Sequence, residues 1–136
     1  MSTTQPIRSK QLLHDFKEYY LTKQPNSRNY TLILIGLNTA LRINDILHLT
    51  WGDVYCTEHS RFYTHLLITE KKTEKETRIL INRELQETLL SYRKTQTSIA
   101  DTDYLFPSPR KADSPLSRYQ AYRIVRKAAA VSYTHL

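Results

Sequence analysis

One arginine in this sequence lies between two predicted buried helices, where a charged side chain is energetically unfavourable. Arg42 lies in LNTALRINDIL, between an apolar run that reads as buried helix and the start of another helix. A guanidinium is costly among core residues, but its planar fork can bind two phosphate oxygens at once. Asp45 follows at the start of the next helix, where the helix dipole favours an acidic side chain. The alternative is a helix-end cation in a surface salt bridge with Asp45 or Asp53, and spacing alone leaves both interpretations open.

A second group of cations lies in a charged turn between two strands. The segment FYTHLLITEKKTEKETRILIN alternates apolar and polar residues on both sides of EKKTEKE, which predicts a β-hairpin. Lys71, Lys72 and Lys75 would lie near its tip. They are either ligands for an anion or the ordinary charges of a solvated turn.

A third basic group belongs to the last predicted helix. Ala121, Ile124, Val125 and Ala128 have the spacing of a narrow core stripe, and the opposite face is basic and aromatic. Such a face would suit DNA contact, and the alternative is a solvated helix surface. The residues predicted to contact DNA here are Arg118, Tyr119, Arg123, Arg126 and Lys127.

The elements that hold these residues are mostly helices. Apolar residues at helical spacing predict five helices, and N-cap residues mark four of the starts. The first three predicted helices run from the N-cap Ser9 to about Leu21, from about Arg28 to Thr39, and from Asp45 to Leu49 after the cap Asn44. The fourth follows the cap Asn82 and carries Leu85, Leu89 and Tyr92, and the fifth follows the cap Ser117. We predict an α+β, mainly α-helical fold with one small antiparallel β-hairpin.

Composition limits the classes of protein that this chain can represent. Its 136 residues suit one domain with a core, and its longest apolar run is too short to span a membrane. The single Cys56 excludes an internal disulfide, and the histidines lack metal-ligand spacing, so we expect no metal or cofactor and a reducing cytoplasm. A net charge of +7 and a pI of about 9.6 favour a polyanionic partner.

Three blocks of the sequence resemble one family. GLNTALRINDILHLTWGDV resembles the first active-site block of tyrosine recombinases, the phage-integrase family. KKTEKETRILIN resembles its β-hairpin lysine block, and YLFPSPRKADSPLSRYQAYRIVRKAA resembles the loop and helix before its histidine–arginine motif. The blocks occur in the family order and cover nearly the whole chain.

The resemblance implies chemistry on DNA. Members of this family perform site-specific recombination by attacking a backbone phosphate with a tyrosine, which forms a 3′-phosphotyrosine and frees a 5′-hydroxyl. Arg42 matches an arginine that stabilises the transition state, Asp45 its accompanying acid, and Lys72 the general acid that protonates the 5′-oxygen. The family often has glycine where this chain has Glu74. The resemblance also implies double-stranded DNA as partner and a tetramer on DNA. It further implies a cytoplasmic location in a bacterial or phage system and a reaction without a cofactor.

The resemblance also implies residues that should follow the last helix. These are a second arginine, a histidine and the tyrosine nucleophile, and none of the chain's 10 tyrosines matches that position. We therefore expect residues 1–130 to be the N-terminal portion of a catalytic domain that binds DNA without cleaving it. Residues 131–136, VSYTHL, match a translated sequencing-library adapter, so we expect a non-native tail.

Two other functions compete with this interpretation. A non-catalytic DNA-binding module, such as a regulator, would use the last helix but leaves Arg42 and the lysine hairpin unexplained. A protein-interaction domain leaves the basic helix unexplained as well.

Overall fold

The chain forms a mainly helical fold into which two short β-hairpins are inserted. The structure is a computed structural model that describes residues 6–69 and 72–133, with side chains over residues 10–69 and 72–130. Its elements in chain order are α1 (Pro6–Glu18), α2 (Ser27–Thr39), α3 (Ile43–Leu47), α4 (Trp51–Val54), β1 (Tyr55–Cys56), β2 (Arg61–Phe62), β3 (His65–Thr69), β4 (Glu76–Leu80), α5 (Arg83–Lys94) and α6 (Arg118–Tyr133). A π-helical turn, Tyr19–Lys23, continues α1. The predicted mainly helical α+β class is confirmed.

The core forms where the apolar faces of the longer helices meet. Helix α2 packs against α1 and α5, while α6 packs against α1 and α3. Leu34 of α2, Leu89 of α5 and Ala121 of α6 are 0% exposed, as their helical spacing predicts. These contacts fix the ends of α2 and α3, and therefore the connection that carries Arg42.

The predicted lysine hairpin is present. Strands β3 and β4 are antiparallel, with His65 opposite Leu80 and Thr69 opposite Glu76. Leu66 is buried and packs with the partly buried Ile79 on the inner face. A second hairpin, formed by β1 and β2, was not predicted, because strands of two residues carry too little alternation to detect.

Two of the predicted N-caps are confirmed. The Asn82 side-chain oxygen accepts from the Leu85 backbone N–H at 2.9 Å, and the Ser117 hydroxyl oxygen accepts from the Gln120 N–H at 3.1 Å. Each bond satisfies a helix-start N–H that has no partner within the helix.

The caps predicted at Ser9 and Asn44 are wrong. Helix α1 already includes Ser9, since it extends back to Pro6, a residue that suits a first turn because it has no N–H to satisfy. Helix α3 begins at Ile43 and ends at Leu47, so Asn44 lies in its first turn and the predicted end at Leu49 is also wrong. Arg42 itself, with φ −67° and ψ 148°, holds the N-cap position.

Candidate active site

The connection that carries Arg42 is short and closely defined by the backbone on either side. Helix α2 ends at Thr39 and is capped by Ala40, whose left-handed conformation (φ 56°, ψ 22°) turns the chain. The Ala40 N–H donates to the Gly36 carbonyl oxygen at 3.1 Å. The Arg42 carbonyl oxygen then accepts from the Ile46 N–H at 3.1 Å, which starts α3. Leu41 and Ile43 pack against the core on either side. The backbone of Arg42 is therefore held from both directions.

The side chain of Arg42 is exposed and carries an uncompensated charge. Among the residues that the structure describes, no hydrogen bond or salt bridge involves its guanidinium. Asp53 is engaged elsewhere, since its Oδ2 accepts from the Thr50 N–H at 2.8 Å and the Thr50 hydroxyl at 3.1 Å. The surface salt bridge considered for Arg42 is thus not formed, and the cation is available to an external anion.

Asp45 lies in the first turn of α3 and is partly buried. Within the described part of the chain it makes no ion pair with Arg42. Its predicted orienting role remains a prediction.

The lysine turn projects from the end of the β3–β4 hairpin. Lys72 and Lys75 are both exposed, and the Lys75 N–H donates to the Thr73 hydroxyl at 3.2 Å. Lys71 lies outside the described residues. Glu74 adopts a left-handed conformation, φ 54°, which glycine occupies without steric cost. Glycine would suit this position, and Glu74 adopts the same backbone conformation at some steric cost.

Helix α6 presents the basic face that its periodicity predicts. Ile124 and Ala128 face the core, whereas the predicted DNA-binding residues are exposed on the other side. The Arg123 guanidinium carbon lies 5.9 Å from the centre of the Tyr119 ring, within cation–π range. The exposed set comprises Arg118, Tyr119, Arg123, Arg126 and Lys127.

A cleft of about 690 Å³ separates this face from the turn between α1 and α2. The Tyr20 hydroxyl donates to the Ile124 carbonyl oxygen at 2.7 Å across its floor, which ties the π-helical turn to α6. The sequence alone does not indicate that the polar segment TKQPNSRN lies beside the basic helix. The amide content of that turn was the available signal. The cleft residues contributed by the turn and the start of α2 are Gln24, Asn26 and Asn29.

The predicted site residues lie on three separate elements. Helix α3, which begins beside Arg42, packs against α6, so the arginine connection and the basic helix belong to adjoining elements. The hairpin that carries Lys72 packs through β3 on α4 and continues directly into α5.

Two histidines of the described chain, His48 and His65, make ordinary contacts. The His48 Nδ1 lies 2.7 Å from the Asn44 carbonyl oxygen, and its ring meets Tyr104 edge-on. The His65 Nδ1 lies 3.1 Å from the Thr64 hydroxyl. The described residues contain no cluster of three or more His, Cys, Asp or Glu side chains that could hold a metal ion. The helices among them are too short or too polar to span a bilayer.

Comparison with known proteins gives one consistent family. The profile described as "Phage integrase family" matches residues 4–134. The "Probable integrase/recombinase YoeC" of Bacillus subtilis (strain 168) is 43% identical over 130 residues, which cover 96% of this chain and 65% of that protein.

Solved structures agree at the level of the fold. The XerA recombinase superposes with a TM-score of 0.65 at 18% identity, over 97% of this chain and 42% of that one. A lambda integrase dimer bound to a COC′ core site gives a TM-score of 0.61 at 16% identity, over 97% and 46% respectively. The chain therefore spans about two thirds of its Bacillus relative and less than half of the solved chains.

Proposed function

The chain belongs to the phage integrase family, and we propose that it supplies the first arginine, the general acid and part of the DNA-binding surface of a site-specific DNA recombinase. The reaction is cleavage and rejoining of DNA strands through a 3′-phosphotyrosine. The observation that carries this proposal is the exposed Arg42, which pairs with no residue that the structure describes, on a connection fixed by two packed helices.

Arg42 acts on the scissile phosphate. Attack on a phosphodiester builds extra negative charge on the non-bridging oxygens, and a guanidinium can donate to two of them. Because the backbone at Arg42 is fixed before DNA arrives, little reorganisation is needed at the moment of reaction. Asp45, in the adjoining first turn of α3, helps to orient the site.

Lys72 acts as the general acid. It is exposed at the turn of a hairpin, a shape that can extend into DNA, and an ammonium can protonate the departing 5′-oxygen. Lys75 is also exposed on the same turn, so it is the residue against which the assignment to Lys72 must be tested. Lys71 and Lys75 otherwise contact phosphate.

The basic face of α6 binds duplex DNA. Cationic side chains release counterions when they neutralise phosphates, which makes such binding strong at low salt and weakly dependent on sequence. The active assembly is a tetramer on DNA in the cytoplasm, and the chemistry uses no cofactor. The phosphate-binding residues are Arg118, Arg123, Arg126 and Lys127, with Tyr119 packed beside Arg123.

The 136-residue chain by itself binds DNA without cleaving it. Burial raises the pKa of Tyr20 and of Tyr92 to about 12, and their hydroxyls donate to the carbonyl oxygens of Ile124 and Leu105. A buried phenol with a raised pKa is a poor nucleophile. We propose that none of the tyrosines in residues 1–130 is the nucleophile and that residues 131–136 take no part in the reaction. Helix α6 runs to Tyr133, and Thr134, His135 and Leu136 lie outside the described residues.

The test compares cleavage rates on two DNA substrates that differ in their leaving group. The enzyme is a longer polypeptide that contains both this chain and the tyrosine nucleophile. Lys72→Ala should slow cleavage of an ordinary phosphodiester by roughly 10²–10⁴-fold, the usual contribution of a general acid. A substrate with a 5′-thiol leaving group needs no acid and should restore most of the rate. Lys94→Ala, at an exposed lysine on α5, is the matched control. Rescue of Lys75→Ala but not of Lys72→Ala would move the role to Lys75, and rescue of neither would refute general-acid catalysis by these two lysines.

A further inference from the structure

A chain of side-chain hydrogen bonds links the end of α2 to the base of the lysine hairpin. The Asn82 Nδ2 donates to the Asn38 Oδ1 at 2.7 Å, although the two residues are 44 positions apart. The Asn38 Nδ2 in turn donates to the Leu34 carbonyl oxygen at 2.9 Å and to the Glu84 Oε1 at 3.2 Å. The other Glu84 oxygen accepts from the Lys17 Nζ at 2.6 Å. The chain thereby connects α1, α2 and α5.

The orientation of both amides follows from their fixed partners. The Leu85 backbone N–H can only donate, so the Asn82 atom that faces it at 2.9 Å must be the oxygen. The Asn82 nitrogen therefore points to Asn38, which must present its own oxygen there and its nitrogen to Leu34 and Glu84. Each asparagine uses both ends of its amide, so neither can be replaced without losing a bond.

The two ends of this link adjoin the two proposed catalytic groups. Asn38 lies in the last turn of α2, just before the Ala40–Arg42 connection. Asn82 follows β4 after the buried Ile81, whose N–H donates to the Thr64 carbonyl oxygen at 2.8 Å at the base of the hairpin. One hydrogen bond between side chains thus spans the arginine element and the lysine element.

We propose that Asn38 and Asn82 form a positioning link that holds the lysine hairpin in register with Arg42. This inference rests on the proposed function, because it assigns the link a purpose in placing a general acid against the phosphate that the arginine binds. Neither asparagine touches the reacting atoms. Displacement of a catalytic group by about 1 Å can cost roughly a hundredfold in rate, so one well-placed bond can matter to the reaction.

The position of Asn82 allows the link to be broken while the helix cap is kept. Aspartate and serine both accept an N–H as N-cap residues. Asn82→Asp presents an oxygen to the Asn38 oxygen and so loses the link, whereas Asn82→Ser is neutral and too short to reach. The two variants agree only if loss of the link, rather than charge, causes the effect. Gln96→Glu, beyond the other end of α5, controls for the added charge.

The first measurement uses the 136-residue chain alone. In both Asn82 variants, backbone amides of β3 and β4 should exchange with solvent roughly fivefold to tenfold faster, because local opening of the hairpin becomes easier, while the buried amides of α2 and α5 are unchanged. Hairpin exchange that matches the parent chain and Gln96→Glu would overturn the link. This result does not depend on any activity.

The second measurement uses the polypeptide that includes the nucleophile. Both Asn82 variants should cleave an ordinary phosphodiester roughly tenfold to a hundredfold more slowly, with DNA affinity within about twofold, since positioning and not binding is lost. On the 5′-thiol substrate the defect should largely disappear, which a general loss of stability would not produce. A defect of equal size on both substrates, or no defect, would overturn the positioning role. If Lys72→Ala itself is not rescued by sulfur, the general-acid assignment fails, and the exchange experiment alone decides the link.

Discussion

Replacing Ala40 by glycine should stabilise the protein, although it removes a methyl group. Ala40 closes α2 with φ 56°, a left-handed conformation that costs an L-residue about 1–2 kcal/mol. Glycine avoids this cost, but its greater conformational freedom in the unfolded chain lowers the free energy of unfolding by about 0.4–1 kcal/mol. The alanine side chain is exposed, so little packing is lost, and the bond from the Ala40 N–H to the Gly36 carbonyl oxygen is retained. The net expectation is a gain of about 0.5–1 kcal/mol in the free energy of unfolding.

Urea denaturation followed by tryptophan fluorescence would measure this gain. The protein has one tryptophan, Trp51, which is 2% exposed and should report loss of the core. Ala112→Gly is the matched control, because Ala112 is an exposed loop residue outside the left-handed region and should be destabilised by about 0.4–1 kcal/mol. If Ala40→Gly lowers the midpoint as Ala112→Gly does, the account of the α2–α3 connection is wrong.

Three further outcomes follow from the structure. Glu74→Gly should raise the free energy of unfolding for the reason given for Ala40, measured by the same denaturation, and a lowered midpoint would contradict the left-handed turn. The hydrogen bond from Lys17 lowers the pKa of Glu84 below 4.5, so the stability that the pair contributes is present above about pH 4.5 and is lost as pH falls through the lowered pKa. Glu84→Gln should therefore be less stable than the parent near neutral pH and equal to it in acid, and a constant difference would exclude this linkage. Charge reversal at three exposed cations of α6 should weaken duplex binding and reduce its salt dependence in a fluorescence-anisotropy titration. Charge reversal at three exposed cations elsewhere should have a smaller effect. The test set is Arg123, Arg126 and Lys127, and the control set is Lys10, Arg61 and Lys94. Equal losses from the two sets would leave only a general effect of net charge.

The sequence predicts the parts of this fold that repeat over several residues. The apolar spacing of α2, α5 and α6 and the alternation in β3 and β4 extend over enough positions to be recognised. N-cap positions are harder to predict from the sequence, because Asn and Ser also occur in the first turns of helices and in loops. The residue type favours Asn44 as the cap of α3, whereas Arg42 holds that position in the structure. The Thr50–Asp53 capping box was readable in the sequence and was missed.

The sequence does not predict features that depend on long-range contacts or unusual backbone. Alanine rarely adopts a left-handed conformation, so nothing at Ala40 signals one. The Asn38–Asn82 link joins residues 44 positions apart and becomes visible only when α2, β4 and α5 are packed. At the candidate site, the residue type and context of Arg42 suggest its role, which stays a prediction, whereas the absence of a salt bridge to Asp53 is visible only because the structure places Thr50 beside that carboxylate.

We propose that Arg42 stabilises charge on the phosphate as it reacts. The most direct measurement is the rate of covalent attachment to DNA in the polypeptide that includes the nucleophile. Arg42→Ala is compared there with Arg83→Ala, at an exposed arginine that forms a salt bridge with Glu87. We predict that Arg42→Ala slows attachment by roughly 10²–10³-fold, as for other transition-state donors, with little change in DNA affinity. Arg83→Ala should retain the parent rate. A loss below about tenfold for Arg42→Ala, or a loss fully explained by weaker DNA binding, would contradict the assignment.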